Sequence, residues 1–216
     1  MEQAQEQFDV LDRAGKRTGR MIKRDEAHAS GAWHGAFHCL ITYHREGRLC
    51  ALFQLRSRDK KIAAGKFDVS VGGHYAAGEG PETAGPREIS EELGLAVPFS
   101  ALVSLGKRVF VYGFQPGVQE CEFQDVFLLP LDGPLSHLSL QKEEVDGVLE
   151  MDVEKGIRLF CAEIPSLEAA LTRSNGAQER VFVRSEDFVP SLDNYYLKLL
   201  QLAKRYSRGE QAVLLI

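Results

Sequence analysis

Residues 73–95 constrain this chain most, because they join a glycine-rich loop to a run of acidic residues at helical spacing. On an α-helix, residues three and four positions apart share a face, so Glu88, Glu91 and Glu92 are expected to converge. Three carboxylates on one face repel one another unless a cation lies among them, and Mg²⁺ prefers oxygen ligands of this kind. The alternative is a solvated acidic face, since most charge runs carry no chemistry.

The glycine and proline residues of the stretch predict where this helix begins and ends. Proline deep inside a helix removes a hydrogen bond, so we expect a late start, with Thr83 as the N-cap and Pro86 at the third helical position. Gly94 is expected to terminate the helix in a left-handed conformation. Ile89 and Leu93 are expected to form the apolar stripe opposite the glutamates.

The spacing of the whole stretch resembles the Nudix box, G-x5-E-x7-R-E-U-x-E-E-x-G-U, in which U is aliphatic. Every fixed position is filled, by Gly73, Glu79, Arg87, Glu88, Ile89, Glu91, Glu92, Gly94 and Leu95. The resemblance implies an α/β fold, the Nudix α/β/α sandwich with a mixed β-sheet, an N-terminal β-hairpin and a C-terminal helix. It also implies a hydrolase that uses Mg²⁺ or Mn²⁺ to cleave a diphosphate joined to a nucleoside or a similar group.

The same resemblance assigns roles to the box residues. The metal ligands would be Glu88, Glu91, Glu92 and the carbonyl of Gly73. Glu79 and Arg87 would form a supporting ion pair between the loop and the helix. The general base is left open between a box glutamate, Glu91, and a glutamate on a later loop, where Glu144 is favoured over Glu143. The alternative for the later pair is a solvated loop position.

A basic segment, residues 56–66, precedes the box. Arg56 and Lys66 are candidates for holding phosphate oxygens, because cationic side chains make strong charge-assisted hydrogen bonds to such groups. A solvated loop is the alternative. Four aromatic residues are candidates either for stacking on the substrate or for the core: Phe8, Trp33, Phe114 and Phe123.

A second resemblance concerns the isopentenyl-diphosphate isomerase branch of the same fold. Residues 33–38, residues 60–70 and the pair Glu120-x-Glu122 are similar to its entry strand, basic loop and acidic motif. This resemblance implies a second metal site formed by His28, His34, His74, Glu120 and Glu122. The interval between His28 and His34 is one residue shorter than in those isomerases, and retained structural histidines are the alternative.

Isomerisation of that kind needs a cysteine near the strand before the third histidine of this set. This chain has Val71 and Gly72 there, and no cysteine between residues 51 and 120. The intact box therefore favours hydrolysis, in a subgroup of Nudix proteins that look isomerase-like but keep the hydrolase box. An isopentenyl-diphosphate isomerase and a non-catalytic Nudix-like binding module are the alternative functions.

Composition limits the partners and the location. The net charge of −5 argues against general nucleic-acid binding, and no apolar run is long enough to span a membrane. Cys39, Cys50, Cys121 and Cys161 show no CxxC spacing, and three of them lie in apolar runs typical of reduced core thiols. We expect a cytoplasmic protein that binds a small-molecule diphosphate, with the C-terminal helix either capping the site or forming a homodimer contact.

The length favours one domain over residues 1–216, with a core at about 34–160. An N-terminal hairpin is expected within residues 1–33 and a helical extension within residues 161–216. In the extension, the pattern predicts a helical stretch near Leu167–Leu171, a strand at Arg180–Val183 and an amphipathic helix from about Leu192 to Ser207.

Overall fold

A nine-stranded mixed β-sheet forms the centre of the chain, beside a separate two-stranded hairpin. The computed structural model describes residues 6–134, 138–210 and 216. The strands are β1 (Gln7–Leu11), β2 (Arg17–Lys23), β3 (His34–Arg45), β4 (Arg48–Arg56), β5 (Phe67–Val69), β6 (Val71–His74), β7 (Val103–Gln115), β8 (Val118–Leu131), β9 (Val145–Asp152), β10 (Leu167–Arg173) and β11 (Gln178–Val183). The helices are α1 (Arg24–Ser30), α2 (Pro81–Leu93), α3 (Val153–Phe160) and α4 (Tyr195–Ser207).

The strand order is β11-β10-β9-β4-β3-β8-β7, with β5 beside β4 and β6 beside β3. Strand β3 has 12 residues, which is long enough to pair with two strands along one side. Its residues Ala36–Cys39 pair with β6, and its residues Thr42–Arg45 pair with β4, both antiparallel. On its other side β3 runs parallel to β8. The short strand that leads into the glycine-rich loop is therefore bonded to the middle of the sheet.

Alternate residues of β3 feed two hydrophobic layers, because successive strand residues point to opposite faces. Phe37 and Ile41 pack in one layer with Ile89 of α2. Leu40 packs in the other layer with Leu199 of α4 and with residues of α3. Helices thus cover both faces of the mixed sheet, which confirms the predicted α/β/α sandwich.

Helix α2 begins earlier than predicted, so the assignment of Thr83 as its N-cap is wrong. Pro81 is the first helical residue, following Gly80 in an extended conformation, and Pro86 lies inside the helix. Proline suits the first position because its φ angle is already helical and its missing N–H is not needed there. Burial of the helix against the sheet outweighs the one hydrogen bond lost at Pro86. Gly94 ends the helix at φ 71°, as predicted.

The region after residue 161 is not wholly helical, which corrects a second prediction. Leu167, Ala169 and Leu171 are buried while Glu168 between them is exposed, so the pattern has the two-residue period of a strand. This segment is β10, which pairs with β9 and extends the sheet. The predicted strand at Arg180–Val183 lies within β11, and α4 contains most of the predicted C-terminal helix.

The N-terminal segment forms the predicted hairpin, β1 with β2, and then a short helix, α1, that was not predicted. Gly31 ends α1 at φ 65° and turns the chain into β3. The hairpin is tied to the core by backbone hydrogen bonds of 2.7 Å from Leu11 to Trp33 and 2.8 Å from Ala77 to Gln7. These contacts place α1 beside the pocket described below.

Among the described residues, no helix combines the length and the apolar composition needed to cross a bilayer. Cys39, Cys50 and Cys121 are free and buried, in agreement with the expectation of core thiols, and Cys161 is free and exposed.

The packing of α2 on the sheet predicts the effect of one substitution. A Cβ atom on Gly85 would lie 2.7 Å from Cε2 of Phe37, whose ring is fully buried and cannot move away. Gly85→Ala should lower the free energy of unfolding by about 1–3 kcal/mol through overpacking, despite the better helix propensity of alanine.

Urea denaturation measures this change. The matched control is Gly113→Ala, since nothing lies within 4 Å of a Cβ atom at that position; its effect should stay within about 0.5 kcal/mol. A Gly85→Ala variant more stable than the unmodified chain would contradict the packing.

Candidate active site

A pocket of about 70 Å³ opens on the face of the sheet that carries α4. Strand register places its floor in rows, because residues directly opposite each other share a face. The first row holds His34, Glu122 and Phe110; the second holds Ala36, His74, Gln124 and Arg108; the third holds His38 and Gly72. Ala36 and Gly72 are the small residues of this floor.

Two of the predicted box ligands, Glu88 and Glu92, are buried beneath the glycines of β6. A Cβ atom on Gly73 would lie 2.1 Å from the carboxyl carbon of Glu88, so only glycine fits there. Glu92 accepts hydrogen bonds of 3.3 Å from the backbone N–H of Gly72 and from the side chain of Gln54. These two carboxylates therefore lie along the buried side of α2, beside Ile89 rather than opposite it, which corrects the predicted apolar stripe.

Burial makes ionisation of both carboxyls costly. It is the main reason that the pKa of Glu88 is raised to about 7, and the nearby charge of Glu91 adds to it. Burial and the charge of Glu88 raise the pKa of Glu92 well above its ordinary value. A cation between the two groups would remove this cost, so the pair has the electrostatics of a cation site.

The third predicted ligand, Glu91, is the most exposed of the three, and one nitrogen of Arg87 lies 3.0 Å from both Glu88 and Glu91. The side chain of Glu91 is 51% exposed. Arg87 also bonds both carboxylate oxygens of Glu79, at 3.1 and 2.8 Å, and donates a 3.3 Å hydrogen bond to the carbonyl of His74. The guanidinium thus connects the glycine-rich loop, β6 and α2, in the position expected of a supporting group.

Glu144, predicted as a candidate base, lies on the loop before β9 and is brought to the box. It is buried and forms an ion pair with Lys60. The charges of both Lys60 and Glu144 act on Glu92, so the three groups share one electrostatic site. Glu143, its neighbour in sequence, is exposed. The closeness of Lys60 was not predicted, because it depends on how residues 57–66 fold back over β9.

The histidines and glutamates of the second resemblance also converge. Ligand atoms of His28, His34, His74 and Glu120 all lie within 4.8 Å of one another, the one such group in the described part of the chain. Glu122 adjoins the group, with an oxygen 2.9 Å from Nε2 of His74. The group draws on four elements: His28 comes from α1, His34 from β3, His74 from β6 and both glutamates from β8.

Three polar atoms of this cluster are buried without a hydrogen-bond partner: His28 Nε2, His34 Nε2 and Glu120 Oε2. Each such atom costs about 1–3 kcal/mol, so orphaned atoms pointing at one another fit a bound metal ion. A mixed imidazole and carboxylate set suits Mn²⁺ or Zn²⁺.

The protonation states of the cluster also fit a metal. Burial lowers the pKa of His28 to about 4, with a further contribution from His34, and lowers the pKa of His74 well below its ordinary value. Neutral imidazoles are the form that binds metals. Burial acts to raise the pKa of Glu122, but the nearby imidazoles of His34 and His74 lower it well below its usual range, while burial raises that of Glu120 to about 9.

The two predicted phosphate-binding residues are placed differently. Arg56 lines the pocket, 3.5 Å from Asp68, and its Nε atom is buried without a hydrogen-bond partner. Lys66 does not line the pocket; its ammonium donates a 2.7 Å hydrogen bond to the carbonyl of Glu186. The structure therefore brings Arg56 to the site and leaves Lys66 on the surface.

The segment before α4 forms a wall of the pocket that the sequence did not indicate. Arg108 is buried and bonds Asp193 through two nitrogens, at 2.9 and 2.8 Å. Its guanidinium lies 3.9 Å from the ring centre of Tyr195. The Tyr196 hydroxyl donates a 3.0 Å hydrogen bond to Asp68. These contacts hold the C-terminal region against the floor, so α4 caps this side of the site.

The aromatic candidates lie at the edges of the site. Phe8 is fully buried and stacks on the rings of His34 and His74, at 4.9 and 4.8 Å, so it packs the histidine cluster. Trp33 packs against Phe123, 4.9 Å between ring centres. The side chain of Phe114 lies outside the described residues.

The fold is an α/β/α sandwich whose helix α2 carries two buried glutamates, and sequence comparison identifies its family. The family model of the NUDIX domain matches residues 32–164, so the chain belongs to the Nudix family. It is 35% identical over 175 residues to Nudix hydrolase 3 of Arabidopsis thaliana, which covers 76% of this chain and 21% of that protein. This chain thus spans about a fifth of that relative's length.

The chain is also similar to an isomerase in sequence and to a solved structure in fold. The chain is 29% identical over 153 residues to the isopentenyl-diphosphate Delta-isomerase of Aliivibrio fischeri, covering 69% of this chain and 83% of that enzyme. Its fold is similar to the crystal structure of DR0079 from Deinococcus radiodurans, with a TM-score of 0.52 and 24% identity over 73% of this chain and 90% of the other. A Nudix protein with isomerase-like relatives matches the sequence-based prediction.

The raised pKa of Glu88 predicts how stability depends on pH without metal. A carboxyl whose pKa rises on folding, here from 4.5 to about 7, destabilises the folded state progressively as pH rises between those values. In buffer with a chelator, Glu88→Gln should therefore gain stability relative to the unmodified chain between pH 4.5 and 7.5, by roughly 2–3 kcal/mol.

Urea denaturation at several pH values measures the difference. Glu143→Gln, an exposed glutamate outside the box, is the control and should show a change below about 0.5 kcal/mol. A pH-independent difference between Glu88→Gln and the unmodified chain would show that the carboxyl is not perturbed.

Proposed function

We propose that the chain is a divalent-cation-dependent pyrophosphohydrolase that cleaves the diphosphate linkage of a nucleoside diphosphate derivative or a similar compound. The observation that carries this proposal is the meeting of two acidic clusters on β6. Glu88 and Glu92 lie beneath Gly73, while His74, the next residue, belongs to the histidine cluster. Gly73 and His74 both line the pocket, whereas Glu88 and Glu92 lie on the α2 side of β6, so the diphosphate is proposed to bind at this strand, between the two clusters.

Glu88, Glu92 and the carbonyl of Gly73 are the groups assigned to hold Mg²⁺ or Mn²⁺ at the box. Such a cation stabilises charge on phosphate oxygens and lowers the pKa of a bound water. Glu91, which the sequence placed among the ligands and as a candidate base, is assigned to the ion-pair network of Arg87, because its half-exposed carboxylate lies 3.0 Å from that guanidinium. Glu79 and Arg87 are assigned to hold the glycine-rich loop against helix α2.

Glu144 is the proposed general base. It is buried beside Glu92 and on a different element from the metal ligands, so it can face a water from the opposite side. Lys60, paired with it, supplies the positive charge that makes burial of another carboxylate tolerable. Arg56 is proposed to bind a phosphate oxygen through its unpaired Nε–H, and no such role is proposed for Lys66.

A second cation, Mn²⁺ or Zn²⁺, is proposed for His28, His34, His74, Glu120 and Glu122. The three orphaned atoms and the neutral imidazoles support this assignment. These residues lie at the end of the pocket away from His38. A cation bound there would attract a phosphate group of the substrate.

Isomerisation is the second candidate, on the strength of the A. fischeri relative. It requires a cysteine near Gly72, but none of the described residues lining the pocket is a cysteine. Cys39 pairs with Val71 and points to the α2 side of the sheet, where burial raises the pKa of its thiol. Hydrolysis therefore remains the better supported chemistry.

Substitution of the assigned groups tests the proposal. With Mg²⁺ or Mn²⁺ and a panel of nucleoside and isoprenoid diphosphates, the unmodified chain should release a phosphate-containing product. Glu92→Gln and Glu144→Gln should each lower kcat by about 10²-fold or more, the size of effect typical for cation-binding or acid–base groups.

Glu143→Gln is the matched control, since it lies next to Glu144 but is exposed, and its kcat should be unchanged. Full activity of Glu92→Gln, or rearrangement of a diphosphate without bond cleavage, would contradict the proposed hydrolysis. Full activity of Glu144→Gln would contradict only the assignment of the base.

A further inference from the structure

The pocket has two chemically different ends along β3. His34, Ala36 and His38 alternate on the face of the strand that forms the pocket floor. His34 belongs to the histidine cluster, while His38 lies four residues further along, which corresponds to about 13 Å of strand. A diphosphate held at the histidine cluster could therefore direct the rest of the molecule over Ala36 toward His38.

The imidazole of His38 is held in place on one side and free on the other. Its Nδ1 atom lies 2.9 Å from the Tyr195 hydroxyl. In the part of the chain that the structure describes, no hydrogen-bond partner is found for its Nε2 atom. That edge of the ring lies over Gly72, where a Cβ atom would be 3.5 Å from Nε2. The ring thus presents one nitrogen to the pocket above a residue that has no side chain.

The chemistry around His38 is polar. Burial is the main reason that the pKa of His38 is lowered, so the ring is neutral near pH 7 and has one donor and one acceptor nitrogen. The charged groups whose fields reach the ring are Asp68, Glu122, Arg108 and Arg56. Asp68 is in turn bonded to the hydroxyl of Tyr196, which also lines this part of the pocket.

We propose that His38 is a specificity-determining residue, whose Nε2 atom hydrogen-bonds a hydroxyl-bearing group, such as a sugar, joined to the diphosphate of the substrate. This inference rests on the proposed function and adds the class of substrate to it. It selects nucleoside diphosphate derivatives over isoprenoid diphosphates. Tyr195 is the positioning residue, because its hydroxyl fixes the ring through Nδ1.

The selection follows from what a hydrocarbon chain would do at this end of the pocket. An alkyl group over Gly72 would exclude water from Nε2 without offering a hydrogen bond, and an unsatisfied buried polar atom is costly. A site built to hydrogen-bond a substrate group discriminates strongly against an analogue that lacks the group, whereas apolar contacts discriminate weakly.

The test compares kcat/KM for two compounds, ADP-ribose and isopentenyl diphosphate. ADP-ribose carries a ribose on both sides of its diphosphate, so the result does not depend on the direction of binding. His38→Leu should lower kcat/KM for ADP-ribose at least tenfold, which corresponds to about 1.4 kcal/mol, and should not lower it for isopentenyl diphosphate. His38→Gln, which keeps a hydrogen-bonding group, should retain more of the activity on ADP-ribose than His38→Leu.

His44→Leu is the matched control, because it makes the same substitution at the exposed end of β3; both kcat/KM values should stay at the level of the unmodified chain. Tyr195→Phe tests the positioning role without touching the imidazole and should lower kcat/KM for ADP-ribose about threefold or more, with its main effect on KM. It keeps the test decisive if His38→Leu fails to fold, which a thermal melt detects.

Three outcomes would overturn the inference. If the unmodified chain hydrolyses neither compound nor any other diphosphate, the proposed function fails and the role of His38 fails with it. If it hydrolyses isopentenyl diphosphate with the higher kcat/KM, hydrolysis stands and the inference on His38 is wrong. If His38→Leu folds and changes kcat/KM equally for both compounds, or for neither, the inference is wrong in the same way.

Discussion

The pairing of β6 with the first half of β3 is the interaction on which the rest of the site depends. Four residues of β6 lie antiparallel to Ala36–Cys39. Because successive strand residues face opposite sides, Gly73 meets Glu88 of α2 while His74 meets Glu122 of β8. One short strand thus contributes to both acidic clusters, and its hydrogen bonds to the centre of the sheet set their separation.

This arrangement has an electrostatic cost, because it buries carboxylates close together. Five glutamates are buried near the pocket: Glu88, Glu92, Glu120, Glu122 and Glu144. In the described residues, Lys60 and the imidazoles of the cluster are close to them, and the pKa of Glu88, Glu92 and Glu120 is raised by burial. A cation bound among these groups would turn their mutual repulsion into attraction.

Much of this site could be predicted from the spacing of the box and of the histidines, because helix and strand periods are local properties. Which side of α2 faces the sheet depends on packing against Phe37, so the sequence alone does not show that Glu88 and Glu92 are buried while Glu91 is half exposed. Leu167–Leu171 was predicted as helical, since a two-residue period is hard to recognise before its partner strand is known. The even spacing of His34 and His38 in the sequence indicates that they share a face of the strand. The hydrogen-bond partner of His38, Tyr195, lies 157 residues away and could not be predicted from this spacing.

Glu88, Glu92 and the carbonyl of Gly73 are proposed to hold one divalent cation, and the histidine cluster a second. Anomalous scattering from crystals grown with Mn²⁺ tests this proposal most directly, because the signal locates manganese without reference to activity. We expect one anomalous peak between Glu88 and Glu92 and another among His28, His34, His74 and Glu120. A map with no peak at the box glutamates would contradict the proposal.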